Sequence, residues 1–245
     1  MRHFLIGSAL ALLSLLAACR GDGQRDIRDY YLPTKDLYDG LVYHYDLTQN
    51  GSAVEEYWYY RSILRDSGLF LTATNYDRFF QINQLTTEKI FANGAVTRDY
   101  FVYEPDTATG KVRQIRAVVE SANVFPFRVT DSLGIFLFRL HYAPTTDTTA
   151  KIYLIRNRRF LGDGPDFELQ GQKYPCIRFG LQEAIGNEQE GASEVEGTGE
   201  EWYARGIGLV YSRKNFGTYR LEARLKDRFP MPELERRAGK HFGVE

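Results

Sequence analysis

The feature that most constrains this chain is a side-chain period of two. Tyr219, Leu221, Ala223 and Leu225 alternate with Arg220, Glu222, Arg224 and Lys226. Successive side chains of a strand point to opposite faces, so this run has one apolar face and one charged face. A strand wetted on one side belongs in an antiparallel sheet. The turn residues Lys214 to Gly217 precede it, so 208–226 reads as a hairpin. Similar runs rich in Tyr, Phe, Val, Ile and Thr recur from Leu41 onward, among them LVYHYDLT, EEYWYYRSIL, GLFLTATNY, GIFLFRLHY and KIYLIRNRRF. The stretch 134–140 is apolar nearly throughout and is expected to be covered on both faces. No long 3.6-residue period is present; short helical turns are expected near 61–66 and 181–185. The acidic, Gly-rich stretch 186–199 and the stretch 144–150 read as loops. These patterns predict a mainly β chain with one domain over 41–228, a polar tether over 19–40 and a charged tail over 229–245.

The N-terminus carries a different signal. Met1-Arg2-His3 is followed by an uncharged run from Phe4 to Ala18. That run is short for a membrane-spanning helix, which needs about 20 apolar residues, and suits the core of a signal peptide over 1–18. It ends Leu16-Ala17-Ala18-Cys19, and polar Arg20-Gly21-Asp22-Gly23 follows. Leu-Ala-Ala-Cys resembles the lipobox of bacterial lipoproteins. The resemblance implies cleavage before Cys19 and a diacylglycerol on its thiol. Buried methylenes at about 0.8 kcal/mol each then hold the chain to a membrane without a spanning helix. Arg20, rather than Asp, in the second mature position points to the outer membrane of a Gram-negative cell envelope. Cys176 is the remaining thiol; it lies in an apolar strand-like segment and reads as a structural cysteine.

Composition narrows the function classes. Lys and Arg total 31 against 32 Asp and Glu, a net charge of -1, so there is no basic excess for nucleic-acid binding. Two cysteines exclude a disulfide-dense scaffold and a Cys-based zinc finger. His44, His141 and His241 stand apart, without HxH or HExxH spacing, and no metal or cofactor is expected. Gly206-Ile207-Gly208 precedes a strand rather than a helix, which suits a bend more than a phosphate cradle. Glu200 and Glu201 are neighbours on a strand and cannot flank one bond; they read as a solvated edge. Asp106-Thr107-Ala108, Asp131-Ser132-Leu133 and Asp147-Thr148-Thr149 resemble the O-glycosylation acceptor of some Gram-negative bacteria, which makes Thr107, Ser132 and Thr148 candidate sites.

Glu200-Glu201-Trp202-Tyr203-Ala204-Arg205-Gly206-Ile207-Gly208-Leu209-Val210 carries a further resemblance. It is similar to the Trp-Tyr-Ala-x-Gly-Ile-Gly-Leu-Val signature of TapB-like and related periplasmic domains, which share the lipoprotein-carrier fold of the LolA and LolB type. Asp29-Tyr30-Tyr31-Leu32-Pro33 followed by 40–45 likewise resembles the start of β-rich exported lipoproteins of unknown function. These resemblances imply a curved antiparallel sheet or half-open barrel with few short helices, and no catalytic residues. Trp202 or Tyr203 is expected at the core, with Gly206 and Gly208 shaping the bend. The function expected is a non-enzymatic, lipid-anchored envelope protein that binds a protein partner or a hydrophobic ligand. The ligand would be contacted by Tyr43, Tyr45, Tyr57, Tyr59, Phe136 and Phe138. Two alternatives are an acyl-chain carrier in the periplasm and a carbohydrate-active hydrolase using carboxylates that sequence does not pair.

Overall fold

The computed structural model describes residues 23–106, 109–130, 134–188 and 194–243. Strand β1 (Gln24–Asp26) leads into two 3-10 turns, Arg28–Tyr30 and Thr34–Leu37. Then come β2 (Leu41–Gln49), β3 (Ser52–Arg65), β4 (Gly68–Tyr76), β5 (Ile82–Phe91), β6 (Gly94–Pro105), β7 (Val112–Arg116), β8 (Val118–Pro126) and β9 (Arg128–Thr130). The second half holds β10 (Ile135–Tyr142), β11 (Ile152–Asp163), β12 (Phe167–Leu169), β13 (Gln172–Tyr174), β14 (Cys176–Asn187), β15 (Val195–Ala204), β16 (Gly208–Phe216) and β17 (Tyr219–Phe229). Helix α1 (Met231–Phe242) follows.

The fold is mainly β, a single antiparallel domain. Strands β2 to β6, β8, β10, β11 and β14 to β17 form an up-and-down ring of 12 strands, closed where β17 pairs with β2. One edge of β6 is shared. Its Gly94–Val96 end pairs with β8 and its Phe101–Pro105 end with β7, so the wall splits there. Full closure satisfies the strand edges that an open sheet would leave exposed.

Ring size sets the next problem. Eight strands enclose a space that side chains just fill, and wider barrels need something more. Here the segment before β2 supplies part of it. Ile27, Tyr30, Tyr31 and Leu37 are buried in the main core with Phe125, Phe127, Phe179 and Tyr203. The Tyr31 ring packs 5.5 Å from Phe125 and 5.6 Å from Phe127. Backbone bonds fix the segment, Ile27 N to Phe127 O at 2.9 Å and Gly206 N to Asp29 O at 2.7 Å. The tether expected over 19–40 is therefore part of the packed domain from Gln24 onward, because its apolar residues fill space that the strands leave.

The hairpin β16–β17 forms as expected, with Ala223 and Leu225 buried and Glu222, Arg224 and Lys226 exposed. Outward positions on the neighbouring strands carry Arg178, Glu200 and Arg213, and Arg213 pairs with Glu200 at 3.1 Å. A membrane-spanning barrel presents an apolar band there; this wall presents paired charges. No helix among the described residues is long and apolar enough to cross a membrane. The segment after Phe229, expected as a charged tail, is helix α1. Its Leu234 is buried on the outer wall against a cluster of Val42, Tyr57 and Phe229. Pro232 near its start and Gly243 in the left-handed conformation after its end punctuate it.

Three local expectations fail for reasons of pairing. Arg61–Arg65 and 181–185 are not helical turns: both continue long strands, held in register by β4 on one side and by β11 and β15 on the other. The loop expected over 186–199 is shorter, because Val195–Gly199 joins β15. Its glycines allow close packing: a Cβ on Gly199 would collide with the Arg213 carbonyl, and one on Gly197 with the Phe216 ring. Finally, 134–140 is covered on one face only, since Ile135 is exposed while Phe138 and Leu140 point inward.

Candidate functional site

The ring encloses a chamber of about 340 Å³. Its aromatic lining includes Tyr31, Tyr45, Trp58, Tyr60, Tyr100 and Phe138. Its polar lining is made of side chains whose strand parity aims them at the axis. Arg156 and Arg158 share a face with Leu154 and Phe160 on β11, Glu201 shares a face with Tyr203 on β15, and Lys214 opposes Leu221 across β16 and β17. Glu56 shares a face with Trp58 and Tyr60 on β3, and Glu88 shares one with Thr86 on β5. Acidic and basic groups thus meet inside a wall whose neighbouring positions are apolar.

Each ionisable group has a partner, as burial of charge demands. Arg158 donates from Nε to Glu201 Oε2 at 2.8 Å and from a second nitrogen to the Val124 carbonyl at 3.1 Å. Tyr203 donates its hydroxyl to Glu201 at 2.7 Å. Glu183 takes Arg156 on one oxygen and Lys214 on the other, the latter at 3.0 Å. Tyr31 donates to Glu88. Glu56 accepts from Trp58 at 3.1 Å and from Asn75 at 3.3 Å.

These partners divide the carboxylates into two classes. Burial pushes the Glu201 carboxyl up, but Arg158, then Arg156 and the hydrogen bond, outweigh it and hold it at about 2. Glu183 is treated alike: burial opposes its charge, Arg156 and Lys214 favour it, and it ends below the ordinary range. For Glu56 and Glu88 burial wins, because neutral or distant donors compensate less than an adjacent cation; both are raised. Burial also lowers Lys214.

The residues expected to contact a ligand separate. Tyr45 and Phe138 line the chamber. Tyr43 is sealed in the core with its hydroxyl on the Ile207 carbonyl at 2.9 Å. Phe136 packs against that core. Tyr57 and Tyr59 have the opposite parity to Trp58, lie on the outer wall and pack in the cluster under α1. The expected set thus spans both sides of one wall. The signature at 202–208 does shape the core: Tyr203 is buried, and positive φ is taken by Gly206 in the turn before β16 (74°) and by Gly208, the first residue of β16 (101°). Trp202 faces outward, half-buried, 4.6 Å from the Tyr211 ring. Glu201, expected at a solvated edge with Glu200, is buried, whereas Glu200 faces out. Thr148 is exposed in a loop; Cys19, Thr107 and Ser132 lie outside the described residues. Cys176 is buried, and burial raises its thiol to about 11, which suits a structural cysteine. Sequence reading missed Glu56, Glu88, Arg156, Arg158, Glu183 and Lys214. The available signal was a charge on the apolar parity of its strand, as with Arg156 and Arg158 between Leu154 and Phe160.

No family model and no curated protein matches the chain. Two solved structures resemble it. A candidate exported protein with a YmcC-like fold from Bacteroides fragilis NCTC 9343 has TM-score 0.52 and 14% identity, covering 81% of this chain and 98% of that one. A candidate lipoprotein from Parabacteroides distasonis ATCC 8503 has TM-score 0.49 and 12% identity, covering 82% and 98%. Neither is described as a LolA- or LolB-type carrier. At this identity the likeness concerns the fold.

Proposed function

We propose that this chain is a lipid-anchored protein of a Gram-negative cell envelope and that its barrel chamber binds a small amphipathic ligand without transforming it. The observation that carries the proposal is the chamber lining, in which stacking aromatics alternate with paired charges around about 340 Å³. Pockets of a few hundred Å³ with apolar walls and a few placed polar groups are the usual form of small-ligand sites. The charges favour a ligand with hydroxyl, amide or ionic groups over the acyl chain expected of a carrier, since a hydrocarbon would leave them desolvated. Binding rather than catalysis is favoured because every chamber carboxylate already holds its donors. The lipobox supports the anchor, and the exported description of the Bacteroides fragilis protein accords with the compartment.

Native mass spectrometry of the full-length protein, gently purified from the envelope, tests the proposal. A retained mass of several hundred daltons that survives organic extraction of lipids is expected. An acyl chain removed by that extraction would support the carrier instead, and a bare polypeptide mass would remove the ligand. The chain has two tryptophans, and only Trp58 lines the chamber, so Trp202→Phe leaves a fluorescence reporter for titration with the extracted compound. For the anchor, Cys19→Ser is expected to leave the membrane fraction while wild type labels with palmitate.

One observation favours a second reading. Raised Glu56 and Glu88 in the same chamber as lowered Glu201 is the division of pKa values that acid–base hydrolysis of a glycoside needs. Release of sugar from a glycan panel, abolished by Glu88→Gln or Glu56→Gln, would establish it.

A further inference from the structure

A second cluster of ionisable groups lies outside the chamber, on the outer wall beside α1. His44 on β2 is 3% exposed and stacks on Tyr57 at 4.6 Å. Its Nδ1 lies 2.8 Å from Asp227 Oδ1, and Arg237 is farther from the same nitrogen at 3.5 Å. The closer carboxylate fixes the proton on Nδ1. That leaves the Nε2 lone pair pointing away from Asp227, and Nε2 is buried with no hydrogen-bond partner. It is aimed at Glu55 on β3, whose Oε1 is 3.3 Å away without hydrogen-bond geometry. Asp46, two residues along β2 on the same face, completes the group. One ligand atom each from His44, Asp46 and Glu55 lies within 4.8 Å of the others.

An imidazole lone pair facing a carboxylate oxygen at that distance is repulsive unless a proton or a metal cation lies between them. The arrangement also has the form of a metal-binding histidine. Such a histidine gives its second ring nitrogen to a carboxylate, which fixes tautomer and ring orientation. With zinc–nitrogen and zinc–oxygen bonds of about 2.0–2.1 Å, the edge between two tetrahedral ligands is about 3.3 Å, which the separation of Nε2 and Oε1 matches. Lys226 Nζ already sits 3.0 Å from Asp46 and 3.4 Å from Glu55, a cation that holds the two carboxylates together.

We propose that His44 Nε2, Glu55 and Asp46 form a binding site for a divalent cation of the zinc class, with Asp227 as the positioning residue behind His44 and Lys226 as the competing cation. Zinc fits a donor set of one imidazole and two carboxylates, whereas calcium and magnesium take oxygen ligands. Glu55, Asp46 and Lys226 are all about half exposed, so an ion reaches the carboxylates from solvent and displaces the ammonium.

Calorimetric titration of the full-length protein in detergent with Zn²⁺, and visible absorption with Co²⁺, test the site. One saturable equivalent and a tetrahedral Co²⁺ spectrum are expected. Glu55→Gln, at a half-exposed side chain, should weaken Zn²⁺ binding at least about tenfold, and Asp227→Asn by about 10–100-fold. Lys226→Met should tighten it. His44→Gln should abolish it, with circular dichroism confirming the barrel. Nitrogen-15 NMR should show the His44 Nε2 resonance shifted on adding Zn²⁺. Absence of saturable binding overturns the proposal. So does affinity unchanged in Glu55→Gln and His44→Gln, or a His44 ring protonated on both nitrogens and indifferent to Zn²⁺; the cluster would then be a histidinium held between carboxylates.

Discussion

Removing the charge of Glu201 is the perturbation that tests the chamber most directly. Arg158 and Glu201 have side-chain exposures of 7% and 4%, so neither can turn to bulk water when its partner is lost. Breaking one half of such a pair costs about 3–5 kcal/mol, mostly from the charge left behind. The lowered Glu201 carboxyl, about 2 against 4.5, has the matching sign: Arg158 and Arg156 favour its charge in the fold more than burial opposes it. The sign follows from a lowered folded value. The contribution is complete above the unfolded value of 4.5 and is lost as pH falls through about 2. Glu201→Gln should therefore lower Tm at pH 7 by roughly 6–20 °C, using about 2–4 °C per kcal/mol for a domain of this size. The wild-type advantage should shrink as pH falls from 4.5 towards 2. Arg158→Met should cost a similar amount, and the double variant clearly less than the two together, with a coupling of about 2 kcal/mol or more. Urea melts of the four proteins from pH 2 to pH 7 measure all of this. A loss below about 1 kcal/mol in Glu201→Gln, with an unchanged acid limb, would refute the reasoning: water in the chamber would then be solvating the charges.

Other perturbations address the frame around the chamber. Gly208→Ala should destabilise by more than about 1 kcal/mol, because φ is 101° and a Cβ would sit 2.9–3.4 Å from Leu32; equal urea midpoints would contradict this. Leu234→Ala should cost about 2–5 kcal/mol of α1 docking and speed hydrogen exchange in 231–242 before the strands, whereas uniform loosening would show that helix and barrel unfold as one unit. Native Cys176 should label slowly with a maleimide at pH 7, since burial holds its thiol near 11, and rapidly in urea; equal rates would mean that the thiol is exposed.

Much of the wall was legible before any coordinates. The alternation at 219–226, the aromatic runs and the turn residues between them follow from the two-residue repeat of a strand, a local property. Gly206 and Gly208 were legible as a bend for the same reason, since the signal is a backbone freedom carried by the residue itself. The Leu16–Cys19 run that resembles a lipobox is likewise contiguous in the sequence. Tertiary structure decided what periodicity leaves open: how many strands close, and which side of each becomes the inside. Tyr57 and Trp58 are neighbours with similar chemistry, yet one lies beneath α1 and the other faces the chamber. Both faces of β3 are covered, so hydrophobicity alone does not assign them. Ile27, Tyr30, Tyr31 and Leu37 look like parts of a tether until a 12-strand ring leaves a space for them to fill. Glu201 looks solvated until β11 brings Arg158 across from it. A buried charge is tolerated only beside its counter-charge, and that partner lies 43 residues away in the chain, where no local pattern reaches.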